Sequence, residues 1–219
     1  MIDPAKDARG TTMQKTREPM TGWLQKIVRF HRDNKGVAAI EFAFIAPVLL
    51  VMYFMTMEIG LGIEANKKVG RTASIVADLV TQNQTITKAD LDAIMRLGEG
   101  TMQPYNRSST QIYITAVQIS SDKTNPRAKV VWSRKAIGTT TSAHTAPDTD
   151  ITTSIPTKLL IADTFLIRVE TKLDYKPVLT WNSSQKANLG LTSAFDNIAM
   201  DETYHLRPRM SVTIPCGDC

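Results

Sequence analysis

The sequence predicts an α+β protein in which one long N-terminal helix, first transmembrane and then periplasmic, packs on an antiparallel β-sheet. Residues 37–63 form a long, almost wholly apolar run, and apolar positions at helical spacing continue beyond it. Stretches that alternate apolar and polar residues follow later in the chain. We therefore divide the chain into a basic cytoplasmic leader at 1–36, a transmembrane helix at 37–63 and an α+β domain at 64–219.

The apolar run is long enough to cross a membrane. At about 1.5 Å per residue its 27 residues span roughly 40 Å, which exceeds the roughly 30 Å of a hydrocarbon core. Glu41 stands near the start of the run, where a charge costs less than at the bilayer centre but still needs a reason. Glu58, near the far end, is expected to reach the periplasmic interface. Pro47 removes one helical hydrogen bond, so we expect a kink there.

The distribution of basic residues orients the helix. Three basic residues follow the run between 67 and 71, whereas six precede it: Lys15, Arg17, Lys26, Arg29, Arg32 and Lys35. The positive-inside rule therefore puts the N-terminus in the cytoplasm of a bacterial cell and exports the large C-terminal part. Apolar residues near helical spacing at 23–30 indicate either an interfacial helix on anionic membrane lipid or merely a sticky leader.

The residues around the start of the run carry a family resemblance. The string KGVAAIEF at 35–42 resembles the processing site of type IV prepilins, in which a membrane peptidase cuts after a glycine and glutamate is the fifth mature residue. The longer string from Gly36 to Gly60, with Glu41, Phe42 and Pro47, resembles the TadE-like family of tight-adherence (Flp) pilus proteins. These are minor pilins or pseudopilins.

The resemblance implies a function, a site and a set of partners. It implies cleavage between Gly36 and Val37, and assembly through a helix that carries Glu41, Phe42 and Pro47. The implied partners are a prepilin peptidase, other minor and major pilins, and an inner-membrane assembly platform. The protein is then a single-pass inner-membrane protein, present also at the cell surface where it is pilus-associated. The alternative is an uncleaved, membrane-anchored periplasmic scaffold or binding protein.

Two helices are predicted at the start of the exported domain. The first continues the membrane helix through 64–82, where one stripe is apolar: Val69, Ala73, Val76, Ala77 and Val80. The second runs from 88 to 97, because Thr87 and Asp90 form a variant capping box and Gly98 is a typical helix end.

The β-sheet is predicted from four stretches. Residues 111–120 and 127–136 alternate on either side of a turn, which predicts a β-hairpin. Residues 138–154 are polar and without periodicity, which predicts a loop. A half-buried strand is predicted at 163–175, and a final strand at 201–214, where Pro208 indicates an edge or a break.

The two cysteines, Cys216 and Cys219, are three residues apart in a Cys-x-x-Cys pattern. In an oxidising periplasm we expect a disulfide between them. Pairing with another chain, or metal or redox chemistry, is the alternative. No second Cys/His pair with ligand spacing accompanies them in the sequence.

The sequence gives no indication of an enzyme, a cofactor or a nucleic-acid-binding protein. It contains no Gly-x-Ser-x-Gly, His-Glu-x-x-His or phosphate-loop motif. Asp148 and Asp150 are better explained by a solvated turn than by a metal site. The net charge of +5 is small, lies largely in the leader and includes no basic patch with interleaved aromatic residues.

Overall fold

The computed structural model describes residues 36–105, 107–177 and 198–219. Residues 1–35 of the leader, and with them the interfacial-helix prediction, lie outside this range. The chain divides into two compact units, Met1–Tyr53 and Phe54–Cys219. The helices are α1 (Val37–Thr81) and α2 (Lys88–Thr101), and the strands are β1 (Gln111–Ile119), β2 (Ala128–Ile137), β3 (Thr140–Ala143), β4 (Phe165–Tyr175) and β5 (Ile198–Leu206).

The five strands form one antiparallel sheet in the order β3-β2-β1-β4-β5. β1 is central because both of its neighbours pair with it along almost its whole length, from Gln111 onwards. The inward side chains of β1, β2 and β4 form one core with both helices, which includes Ile114, Trp132 and Ile167. The predicted α+β class, with a long helix on an antiparallel sheet, is thus confirmed.

The C-terminal part of α1 packs on the sheet through the stripe predicted from the sequence. Val69, Ala73, Val76, Ala77 and Val80 are all fully buried. These positions recur every three or four residues, so they lie on one face of the helix. The small alanines in the stripe allow close approach of the helix to the sheet.

Helix α2 begins where the sequence predicts it. The Thr87 hydroxyl accepts a hydrogen bond from the Asp90 backbone N–H, and the Asp90 carboxylate accepts one from the Thr87 N–H. The predicted end was wrong, because the helix continues through Gly98 to Thr101. A Cβ at Gly98 would lie 2.7 Å from Val76 Cγ2 and 2.9 Å from Ile112 Cδ1, so this glycine serves close packing rather than termination.

The prediction of a loop at 138–154 was also wrong in part. Residues Thr140–Ala143 form β3, which pairs with the end of β2 after a tight turn at Gly138, where φ is +54°. Three of the four β3 side chains are exposed and the fourth is half-buried. An edge strand made of threonine, serine and alanine shows no apolar alternation, so the sequence pattern did not reveal it.

The last strand ends earlier than predicted. β5 spans Ile198–Leu206 rather than 201–214, and the chain leaves the sheet before Pro208. The next residue has another partner, since the Arg209 N–H donates to the Thr81 carbonyl at the C-terminal end of α1, at 3.0 Å. The Arg209 guanidinium also pairs with Asp78 at 2.6 Å. After β5 the chain therefore caps the C-terminal end of α1 instead of continuing as a strand.

Candidate functional site

The predicted processing site lies at the very start of α1. Gly36 directly precedes the helix and Val37 is its first residue. Both residues are exposed, and no atom lies within 4 Å of the position that a Cβ on Gly36 would occupy. Among the described residues, nothing therefore covers the Gly36–Val37 peptide bond.

The membrane half of α1 presents its apolar side chains outward. Glu41 is exposed in the second turn, and the adjacent Phe42 is 68% exposed. α1 continues through Pro47, which lacks the N–H that would otherwise bond to the Ala43 carbonyl. The helix is long and apolar enough to cross a membrane, and none of the residues in its most apolar window is buried. One long apolar helix of this kind fits single-pass membrane anchoring.

Burial along α1 begins at a carboxylate. Glu58 is the first buried residue of the helix and is only 8% exposed. The Tyr175 hydroxyl, at the end of β4, donates a hydrogen bond to Glu58 Oε1 at 3.0 Å. Burial first, and then the bond to Glu58, raises the pKa of Tyr175 to about 12. An acidic side chain inside an apolar run thus has a dedicated partner in the sheet, which the sequence did not reveal.

Apolar side chains surround this hydrogen bond. Tyr175 is 3% exposed and packs in a cluster with Ala65 and Val69 of α1, Met102 after α2, and Leu173 and Met200 of the sheet. A hydrogen bond in such low-polarity surroundings is costly to break, because neither group can turn to water. The cluster fixes β4 and β5 on the first buried turns of α1.

Cys216 and Cys219 are joined by a disulfide, with their Cα atoms 5.5 Å apart. The resulting loop is attached to the start of α2. The Ile86 N–H donates to the Pro215 carbonyl and the Gly217 N–H to the Ile86 carbonyl, both at 3.1 Å. Asp218 Oδ1 accepts from the Lys88 N–H at 2.8 Å, at the positive end of the helix. Cys216, Asp218 and Cys219 are close enough to hold a metal ion, but the sulfurs are used in the disulfide.

Among the described residues, the two histidines do not stand together. His144 packs against the ring of Tyr113, with ring centroids 4.6 Å apart, and burial lowers its pKa. His205 is in β5 and pairs across the ladder with Arg168 of β4. Burial and the nearby Arg168 charge lower its pKa as well. His144 thus contacts β1, whereas His205 contacts β4.

Comparison with known proteins bears on the first part of this description. No curated protein and no solved structure matches the chain. Residues 36–78 match the family described as TadE-like protein. The match begins at Gly36 and covers the exposed apolar half of α1, Glu58 and most of the buried stripe. From residue 36 to residue 78 the chain is therefore similar to the TadE-like protein family, as its sequence motif indicates.

Proposed function

We propose that this protein is a minor pilin or pseudopilin that acts in assembly of a tight-adherence type IV pilus. The observation that carries the proposal is the exposed apolar half of α1, which begins at Val37, directly after the first residue of the TadE-like match. A fully exposed apolar helix must be covered by lipid or by other helices. When a membrane protein enters a filament, helices of other subunits replace the lipid around its apolar helix.

Processing by a prepilin peptidase after Gly36 is part of this proposal. The exposure of Gly36 and its lack of a side chain support it, because a peptidase must reach an uncovered peptide bond. The leader then stays in the cytoplasm, the new N-terminus is Val37, and the domain lies in the periplasm. The function is structural, and the partners are other pilins and the inner-membrane assembly platform.

Glu41 is proposed to pair with the freed amine of Val37 on a neighbouring subunit. Glu41 is exposed on the helix, so another chain can reach it. An ion pair is much stronger in a low-dielectric helix bundle than in water, and an unpaired charge there costs several kcal/mol. The pairing would therefore select correctly processed subunits.

Substitution of Glu41 tests this function. We expect Glu41→Ala and Glu41→Gln to insert into the membrane at wild-type levels but to block pilus assembly. Glutamine keeps the size and removes only the charge, so it isolates the ion pair. The measurements are the amount of protein in the membrane fraction and the pili counted by electron microscopy or released by shear. Normal piliation by both variants would reject the pairing role of Glu41.

A further inference from the structure

A groove of about 430 Å³ lies between α1 and the part of the sheet where β4 ends and β5 begins. Its walls are mostly apolar. Ile59 and Ile63 of α1 are 54% and 53% exposed, and Ile198 of β5 is 38% exposed. Tyr175 closes one side, and Lys67 also lines the groove.

Along α1, the wall of the groove changes from apolar to positively charged. Ile59 and Ile63 are among the last residues of the apolar run at 37–63, and Lys67 follows Ile63 by one helical turn. These four residues rise about 6 Å along the helix axis. The headgroup layer on each side of a bilayer is about 5–8 Å thick, taking half the difference between the total and hydrocarbon thickness. Lys67 therefore lies beyond Ile63 by a distance that matches the thickness of the headgroup layer.

We propose that this groove binds one anionic phospholipid from the leaflet on the side of the C-terminal domain. An acyl chain lies along Ile59, Ile63 and Ile198, and the phosphate contacts the Lys67 ammonium. Two observations support a lipid occupant: Ile59 and Ile63 of the groove belong to the apolar run at 37–63, and Lys67 lines the groove farther along α1, beyond that run.

The acidic residue in the groove does not oppose this arrangement. Glu58 lies more than two turns before Lys67, on the side of the acyl chain, and its carboxyl group accepts the Tyr175 hydrogen bond. It is 8% exposed, so little of its surface faces the occupant. The proposal depends on membrane anchoring and not on pilus assembly, so the two can fail separately.

Two glycines of α1 provide a matched pair of variants. Gly62 lines the groove, and a Cβ there would make an ordinary contact with Tyr175 Cε1 at 3.9 Å, so Gly62→Leu adds bulk to the groove wall. Among the described residues, no neighbour outside the backbone of α1 itself lies within 4 Å of a Cβ placed on Gly60, so Gly60→Leu adds the same bulk elsewhere. Both changes replace glycine with a better helix former.

The experiment is native mass spectrometry of the full-length protein in detergent, titrated with phosphatidylglycerol and, separately, with phosphatidylcholine. We expect the wild type and Gly60→Leu to retain one phosphatidylglycerol, and Gly62→Leu to bind it about tenfold more weakly. Lys67→Gln should lose the preference for phosphatidylglycerol, whereas Lys123→Gln, in an exposed turn far along the chain, should keep it.

Two results would overturn the proposal. One is phosphatidylglycerol binding by Gly62→Leu equal to that of the wild type. The other is a wild-type dimer that Gly62→Leu dissociates, with no lipid retained, since the groove would then hold a second copy of the chain. Circular dichroism checks that Gly62→Leu is folded. If it is not, unchanged lipid preference in Lys67→Gln rejects the phosphate contact by itself.

Discussion

The Tyr175 hydroxyl donates a hydrogen bond to the Glu58 carboxyl group at 3.0 Å and joins the end of β4 to the first buried turn of α1. Glu58 belongs to the apolar run at 37–63, whereas Tyr175 lies more than a hundred residues later. The bond therefore places the end of β4 next to the end of the predicted membrane span. It gives a polar side chain in an apolar segment a partner within the protein.

Loss of this hydrogen bond should destabilise the domain. We expect Tyr175→Phe to lower the free energy of unfolding by about 1–3 kcal/mol, because a buried carboxyl group loses a donor. Tyr204→Phe is the control, since Tyr204 is 38% exposed and its change should stay within about 0.5 kcal/mol. Denaturant unfolding in detergent measures both. Equal stability of Tyr175→Phe and wild type would show that the bond contributes nothing.

Gly98 and Gly100 should respond in opposite directions to alanine. Gly98→Ala places a Cβ 2.7 Å from Val76 Cγ2 and 2.9 Å from Ile112 Cδ1, and overpacking of this kind costs about 1–3 kcal/mol. Gly100→Ala meets no atom within 4 Å and should gain about 0.5–1 kcal/mol from helix propensity. Thermal unfolding of the two variants checks this. A stabilising Gly98→Ala would mean that α2 can move away from α1.

The ion pair between Asp92 and Arg134 should make the stability of the folded domain depend on pH. Arg134 Nε and Nη2 donate to the two Asp92 oxygens at 2.5 and 2.9 Å. The hydrogen bond from Arg134 lowers the pKa of Asp92 below its usual value of 3.8. A carboxyl group whose pKa is lower in the folded state stabilises the fold at pH values above its unfolded-state pKa. This stabilisation is lost as the pH falls through the folded-state pKa.

Asp92→Asn should therefore be less stable than wild type by about 1–3 kcal/mol at pH 7, and the difference should shrink below about pH 4. Denaturant unfolding across pH 3–7 measures it. Arg127→Gln is the control, because its ion pair with Asp150 is 57% and 43% exposed and should contribute at most about 1 kcal/mol. A difference that is constant with pH would reject the linkage.

The disulfide should be dispensable for folding. Closing a four-residue loop adds only about 2 kcal/mol by the loop-entropy model, so the double variant Cys216→Ser, Cys219→Ser should fold with that loss. The contacts of Pro215, Gly217 and Asp218 with the start of α2 do not involve the sulfurs.

Thiol labelling of intact cells should find both wild-type cysteines blocked before reduction and free after it. A large fraction of free thiol, or a dimer that dissociates on reduction, would instead support a metal site or a bond to another chain.

Patterns that rest on burial of one face could be predicted from the sequence. The stripe from Val69 to Val80 repeats at helical spacing, and β1 and β2 alternate, so their types and approximate bounds were evident. The Thr87–Asp90 capping box involves residues three apart in the chain and could also be predicted. Each of these features depends on neighbours a few residues away.

Features that depend on distant contacts could not be predicted. Gly98 looked like a helix end because its reason, close contact with Val76 and Ile112, comes from two other elements. The sequence predicted that Glu58 would reach the periplasmic interface, and no spacing pointed to Tyr175 as its partner. The strand β3 has three exposed residues out of four and no alternation of apolar and polar residues, so its sequence did not predict a strand.

The N-terminal residue of the protein recovered from membranes tests the proposed pilin function most directly. Mass spectrometry or Edman sequencing should find Val37 first, and the mature chain should be about 4 kDa lighter than the 24.3 kDa precursor, in proportion to the 36 residues removed from 219. Gly36→Leu should retain the precursor mass, because a bulky side chain replaces the small residue at the cleaved bond. A wild-type protein that still carries residues 1–36 would contradict the account.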